Sequence, residues 1–226
     1  MAKALMVLTS HAAMGNTGTQ TGFWLSELTH PYYALVDQQI EVDIVSVAGG
    51  EAPVDPKSWE EDDALNARFL ATPELVESLK QSASINSVIP SHYDAVIYAG
   101  GHGTMWDFPD DEHIQRVTLA IFQQGGVVAA ICHGPAALVN LRHPNGDHLI
   151  ANKQVTGFTN DEEDAVGLTG VVPFLLEDAL KAANADFSQT AMWGEHVVVD
   201  GQLVTGQNPQ SAIAVGHAVA RLLLPD

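Results

Sequence analysis

The chain of 226 residues carries 9 Lys and Arg against 28 Asp and Glu, a formal charge of −19, with ten His and one Cys. A field of that sign repels phosphate backbones and anionic lipid, and the basic residues, scattered from Lys3 to Arg221, form no cluster to offset it, so neither a nucleic-acid nor a membrane partner is expected. One Cys makes no intrachain disulfide and no Cys-based zinc site, no run approaches the roughly 18 apolar residues of a membrane span, and 46% hydrophobic residues suit a packed core; a cytoplasmic protein with a single domain over residues 1–226 is expected.

In chain order, Ala4–Leu8 reads as a short buried strand followed by a Ser/His/Gly/Asn loop, and Phe23–Val36 as a helix with apolar residues at Phe23, Leu28 and Leu35. Pro31 interrupts or restarts that helix. Val42–Val47 is a second strand closed by Gly49-Gly50, and Ser58–Gln81 holds two helical pieces, with Thr72 and Pro73 as an N-cap and first-position pair. Asp94–Ala99 is a third strand that runs straight into Gly100-Gly101-His102-Gly103. Ile114–Phe122 is helical, Gly125-Gly126 closes it, and Val127–Ile131 is a fourth strand leading into Cys132. Pro173–Ala183 is a further helix, Val197–Val204 a hairpin turning at Asp200-Gly201, and Asn208-Pro209 caps a last helix bearing Ile213, Val215, Val219 and Leu222–Leu224. Continuous apolar strands separated by helices are what a parallel sheet covered on both faces requires, so the expected fold is a doubly wound α/β sandwich with a mainly parallel sheet.

In such sheets ligands collect outside the carboxyl ends of the strands, which singles out the loops after the third and fourth strands. Ala130-Ile131-Cys132-His133-Gly134 places small residues two before and two after a nucleophilic side chain where a strand turns into a helix, the layout of a nucleophile elbow. A cysteine at a helix N-terminus is expected to favour thiolate, its pKa falling from about 8.5 to roughly 3.5–7.5. The bland alternative is an inert core cysteine, but that needs no turn of small residues beside it. An oxyanion formed on attack by sulfur could be held by the amide of His133 and by one from Gly101 or His102. His133 or Glu27 could serve as the base, Glu27 because the apolar stretch Trp24–Leu28 could bury it and raise its pKa. Asp161, Glu162, Glu163 and Asp164 form an acidic run that reads first as a solvated helix start, of which one member could orient a histidine. His143 and His148 lack the spacing and companions of a metal site, and no metal is expected. Trp106 and Phe108 are packing residues or pocket walls.

Ala-Ile-Cys132-His133-Gly134-Pro135, Ala-Gly100-Gly101-His102-Gly103-Thr104, Ser26-Glu27-Leu-Thr-His30-Pro31, Val155-Thr156-Gly157-Phe158 and Asp200-Gly201-Gln-Leu-Val-Thr-Gly206-Gln207-Asn208-Pro209 together resemble the ThiJ/PfpI superfamily of class I glutamine amidotransferase-like proteins. Within it the chain is similar to the clade of heat-inducible chaperones that are also glutathione-independent glyoxalases, glyoxalase III. The resemblance spans nearly the whole chain. It implies a flavodoxin-like fold, no cofactor, a homodimer and conversion of methylglyoxal or a related 2-oxoaldehyde and water to lactate. It also implies four site residues: a nucleophilic Cys132, the adjacent His133, Glu27 near the sulfur and Glu163 orienting the histidine. Asp161 and Glu162 lie within a two-residue alignment slip of Glu163.

Rival activities leave different marks. A glutaminase would supply a late His-x-Glu pair, which the chain lacks. A peptidase needs a cleft open to extended chains, a holdase chaperone would act without Cys132, and a redox sensor would expose a readily oxidised thiol.

Overall fold

A computed structural model describes residues 1–224. Seven strands form one sheet: β1 (Lys3–Leu8), β2 (Glu41–Ser46), β3 (Ala83–Ser84), β4 (Ala95–Tyr98), β5 (Val127–Ile131), β8 (Val197–Asp200) and β9 (Leu203–Gly206), while β6 (Gln154–Val155) and β7 (Asp186–Phe187) pair separately. The spatial order is β3-β2-β1-β4-β5-β9-β8, parallel throughout except for the antiparallel β8 at one edge. β4 and β5 are buried at every position and β1 at all but its first, which is why they read as unbroken apolar runs.

The helices are α1 (Leu25–Val36), α2 (Ala64–Leu70), α3 (Pro73–Lys80), α4 (Thr104–Asp107), α5 (Glu112–Gln123), α6 (Asn160–Ala165), α7 (Leu176–Ala182) and α8 (Ala212–Leu223). α5 packs on β4 and β5, while α8 packs on β5, β9 and α1. The α1–α8 contact explains Pro31, which does not break α1. A Cβ on Gly216 of α8 would stand 2.7 Å from Pro31 Cα and 2.6 Å from Ala34 Cβ, so the two helices approach closely there and packing holds α1 continuous despite one missing N–H.

Other local expectations shift. Thr72 precedes α3 as expected, but its hydroxyl donates back to the Arg68 carbonyl and does not cap. α7 starts at Leu176, three residues later than Pro173. The hairpin turns at Gly201-Gln202, with Asp200 still paired to Leu203, and a short 3-10 turn, Pro209–Ser211, precedes α8.

Chain order reverses direction across the sheet between β1 and β4, so the loops leaving their carboxyl ends part and leave a crevice. Backbone bonds tie those loops across it, from Trp24 N–H to the Gly100 carbonyl (3.0 Å) and from Gly103 N–H to the Gly22 carbonyl (3.3 Å). In register, Tyr98 pairs with Ala130 and Ile131 with Gly206, so Cys132 emerges beside the Gly100 turn.

Candidate active site

Cys132 takes φ +57, a left-handed conformation that costs an L side chain energy and persists only where its surroundings dictate it. Here its N–H donates to the Gly206 carbonyl at 2.8 Å and its carbonyl accepts from Phe158 N–H at 2.8 Å, fixing both peptide planes. The small flanking residue has a concrete cause: a Cβ on Gly134 would collide with the Tyr98 carbonyl oxygen. The helix expected after the elbow is a short 3-10 helix, Gly134–Leu138. The expected low-pKa thiol is corrected as well. Cys132 is 4% exposed, and burial followed by the charge of the Glu27 carboxyl pushes its thiol well up.

The other groups explain how such a thiol can still react. His133 Nδ1 lies 3.3 Å from Cys132 Sγ, and His133 Nε2 lies 2.8 Å from Glu163 Oε2. The carboxylate only accepts, so the proton sits on Nε2 and Nδ1 presents its lone pair to the sulfur. Burial, with neighbouring His102 next, lowers His133 to about 4, so its ring is neutral and free to accept a proton at neutral pH. Glu163 is held at about 2: burial pushes it up, but the charge of His133 and the hydrogen bonds of both imidazoles more than reverse that.

His102 is the residue the sequence reading used only for its backbone. Its Nε2 donates to Glu163 Oε1 at 2.8 Å, and its ring centroid lies 4.1 Å from that of His133. Glycines on both sides, directly after a buried strand, are the signal that could have placed its side chain in the site. The donor atoms of His102, His133 and Glu163 lie within 4.8 Å of one another, the set among the described residues that could ligate a metal ion. Of the acidic run, Glu162 and Glu163 are buried while Asp161 and Asp164 are exposed, so it is only half a solvated helix start. Glu163 reaches the histidines; Glu162 bonds elsewhere and Asp161 points into solvent.

Glu27, in the first turn of α1, is fully buried. Its Oε2 accepts the Gly100 N–H at 2.7 Å, and a Cβ on Gly100 would stand 2.5 Å from that oxygen, so glycine is required. Its Oε1 has no conventional hydrogen-bond partner; the Cys132 thiol is the polar group beside the carboxyl. Burial pushes Glu27 up to about 8, against the weaker pull of Cys132 and the Gly100 N–H, so it keeps its proton at neutral pH.

Cys132 and His133 line a pocket of about 300 Å³ together with the apolar Trp24, Phe158, Val166 and Trp193 and the polar His30, Glu60 and Asp63. Gly101 and His102 also line it, placing all three residues named for an oxyanion at the cavity. No helix among the described residues is long and apolar enough to cross a membrane.

The comparisons with known proteins agree with this architecture. A protein of Francisella tularensis described as Rapid Encystment Protein 24 KDa has a solved structure that superposes with a TM-score of 0.97 at 50% identity, covering 99% of this chain and 100% of that one. Glyoxalase 3 of Candida albicans is 31% identical over 235 residues, 97% of each chain. The glutathione-independent glyoxalase HSP31 of Saccharomyces cerevisiae is 31% identical over 227 residues, 93% of each. Residues 19–222 match the model of the DJ-1/PfpI family, so with the elbow, the parallel sheet and these full-length likenesses the chain belongs to the DJ-1/PfpI family.

Proposed function

We propose that this protein is a glutathione-independent glyoxalase that converts methylglyoxal, or a related small 2-oxoaldehyde, and water to lactate through a hemithioacetal on Cys132. The observation that carries this reading is the position of Sγ, 3.3 Å from an acceptor nitrogen and beside the buried carboxyl of Glu27, at the wall of a small pocket. Relatives that match nearly the full chain and bear the names glyoxalase 3 and glutathione-independent glyoxalase support it.

In this mechanism His133 Nδ1 takes the thiol proton as Sγ adds to the aldehyde carbon, and Glu27 gives its proton to the aldehyde oxygen, forming the hemithioacetal. Glu27, now a carboxylate, removes the former aldehyde C–H, while His133 protonates the ketone oxygen, giving an enediol. Glu27 returns that proton to the second carbon and His133 takes one from the hydroxyl on the first, leaving a lactoyl thioester. Water, deprotonated by Glu27, then displaces Sγ, which recovers its proton from His133; lactic acid leaves and both residues regain their starting states. Glu163 keeps the His133 proton on Nε2 throughout, so Nδ1 is always the nitrogen facing the sulfur. The N–H groups of Gly101 and His133 serve the oxyanion stages.

The test is lactate formation from methylglyoxal without glutathione, wild type beside Cys132→Ala. Wild type is expected to turn over and Cys132→Ala to lose all measurable lactate with an unchanged circular dichroism spectrum. Lactate from a folded Cys132→Ala protein would exclude covalent catalysis, and an inactive wild type would exclude the activity.

A further inference from the structure

Glu162 is fully buried in the first turn of α6, and its hydrogen-bond partners are other than the histidines that Glu163 holds. Five donors converge on it. Oε2 accepts from the Thr159 N–H and hydroxyl, each at 3.1 Å. Oε1 accepts from Trp193 N–H at 3.0 Å, Gln207 Nε2 at 3.1 Å and Asn208 Nδ2 at 2.9 Å. Only the acceptor-only carboxylate satisfies such a set. The Oε2 bonds are a capping box for α6 and explain themselves. The Oε1 bonds are not needed for that cap; the one from Trp193 ties the helix that carries Glu163 to the irregular stretch between β7 and β8, and the two from Gln207 and Asn208 tie it to the segment after β9.

Buried Gln207 and Asn208 brace the same stretch, through Thr190 N–H to Gln207 Oε1 (2.8 Å) and Asn208 Nδ2 to the Gly194 carbonyl (2.8 Å). At its tip Trp193 takes φ +62, a conformation bulky residues rarely adopt. Trp193 is 40% exposed, so core burial does not account for the strain. What the conformation achieves is placement: the indole lines the pocket and lies 5.9 Å from the ring of Phe158, which itself lies 4.3 Å from that of His133. At about 300 Å³ the pocket is at the lower edge of the roughly 300–1,000 Å³ that hold drug-sized ligands, more than a three-carbon substrate fills.

We propose that Glu162 is a positioning residue that fixes Trp193 as an apolar wall of the substrate pocket, and that this wall favours 2-oxoaldehydes whose substituent on the ketone carbon is apolar and larger than methyl, an aryl group included. The proposal rests on the glyoxalase reading above. It is tested by steady-state kinetics without glutathione on methylglyoxal and phenylglyoxal, for wild type, W193A, W193F, E162Q, E162D and the E162Q/W193A double variant. In W193A the phenylglyoxal KM is expected to rise about tenfold with kcat within about twofold, while the methylglyoxal KM moves less than about threefold. W193F retains the wild-type preference. E162Q puts an amide donor among N–H donors and is expected to reproduce the W193A split, with no further change in the double variant. E162D keeps the charge but withdraws it, giving a smaller shift in the same direction, and decides the role of Glu162 should E162Q fail to fold.

Equal losses on both substrates, a kcat effect without a KM effect, or additive losses in the double variant would overturn the proposal. If wild type produces neither lactate nor mandelate, the glyoxalase reading fails; if wild type turns over both and the variants do not discriminate, only this inference fails.

Discussion

Glu27 and Glu163 reach the Cys132–His133 pair from different helices, both with almost no contact with solvent, yet one is pushed up to about 8 and the other held at about 2. Desolvation acts in the same direction on both, so the difference lies in what donates to them. Glu163 receives an imidazole N–H on each oxygen and sits against rings that can share its charge. Glu27 receives a single backbone N–H on Oε2 and has the thiol beside its other oxygen. In the proposed mechanism the first is therefore a fixed anion that orients a base and the second a proton reservoir beside the sulfur. Assigning acid and base follows from environments that separate two like groups.

The largest effect that would break this contrast is expected at Glu163. Glu163→Gln offers an amide N–H to one imidazole where an acceptor is required, so the tautomer that points the Nδ1 lone pair at sulfur is lost. A carboxylate-to-amide change beside a catalytic imidazole costs about 10,000-fold in rate, and kcat for lactate formation should fall by that order. A loss below tenfold would show that Glu163 does not set the tautomer.

Glu27→Gln should cost on the order of 1,000-fold, since it removes one proton-transfer group. The residual activity sharpens the comparison through its pH profile. In wild type kcat/KM should fall below about pH 4, as His133 becomes protonated and cannot accept the thiol proton, and again above about pH 8, as Glu27 loses the proton it must donate. Glu27→Gln cannot deprotonate, so its profile should lack the alkaline limb; a limb that persists would assign it to another group.

The smallest effect is on stability. Native Glu27 keeps a proton from its ordinary 4.5 up to about 8 that the unfolded chain has lost, so stability falls as pH rises across that range. His133 opposes this between about 4 and its ordinary 6.5, where the unfolded chain binds the extra proton, which leaves pH 6.5 to 8 as the window where Glu27 acts alone of the two. Urea midpoints should decline across that window by an amount worth at most about 2 kcal/mol in wild type, and Glu27→Gln should flatten the decline. An identical decline in both proteins would show that Glu27 is not protonated in the native state. Glu163 has the opposite sign: its contribution is present above 4.5 and is lost as pH falls towards about 2, a limb that Glu163→Gln should remove.

The two sides of the site were not equally legible. Runs such as Val127–Ile131 announce a buried parallel strand, and Cys132 with His133 and Gly134 announces an elbow, because composition over a few consecutive residues constrains both. Glu27 could be named from the apolar residues around it. His102, by contrast, offers the sequence only its amide, and the capping-box spacing Thr159-Asn160-Asp161-Glu162 lies inside an acidic run that reads as solvated. The expected low-pKa thiol gives way for a physical reason: the segment after Cys132 is only a short 3-10 helix, and the cost of burying the thiol beside Glu27 is not written in its neighbouring residues.

Sequence by itself determined the longer strands β1, β2, β4 and β5, the closing hairpin, the elbow at Cys132 and the residue types available to it, since each of these is written in neighbouring positions; the two-residue strands β3, β6 and β7 and the single turn α4 are not. Only the tertiary structure decided the register in which β4 and β5 pair, that Glu163 and not Glu162 meets His133, and that Oε1 of Glu162 holds Trp193. Those outcomes depend on register and on which way a side chain leaves a short helix. A charge state is likewise the sum of contacts from segments far apart in the chain, so no local pattern contains it.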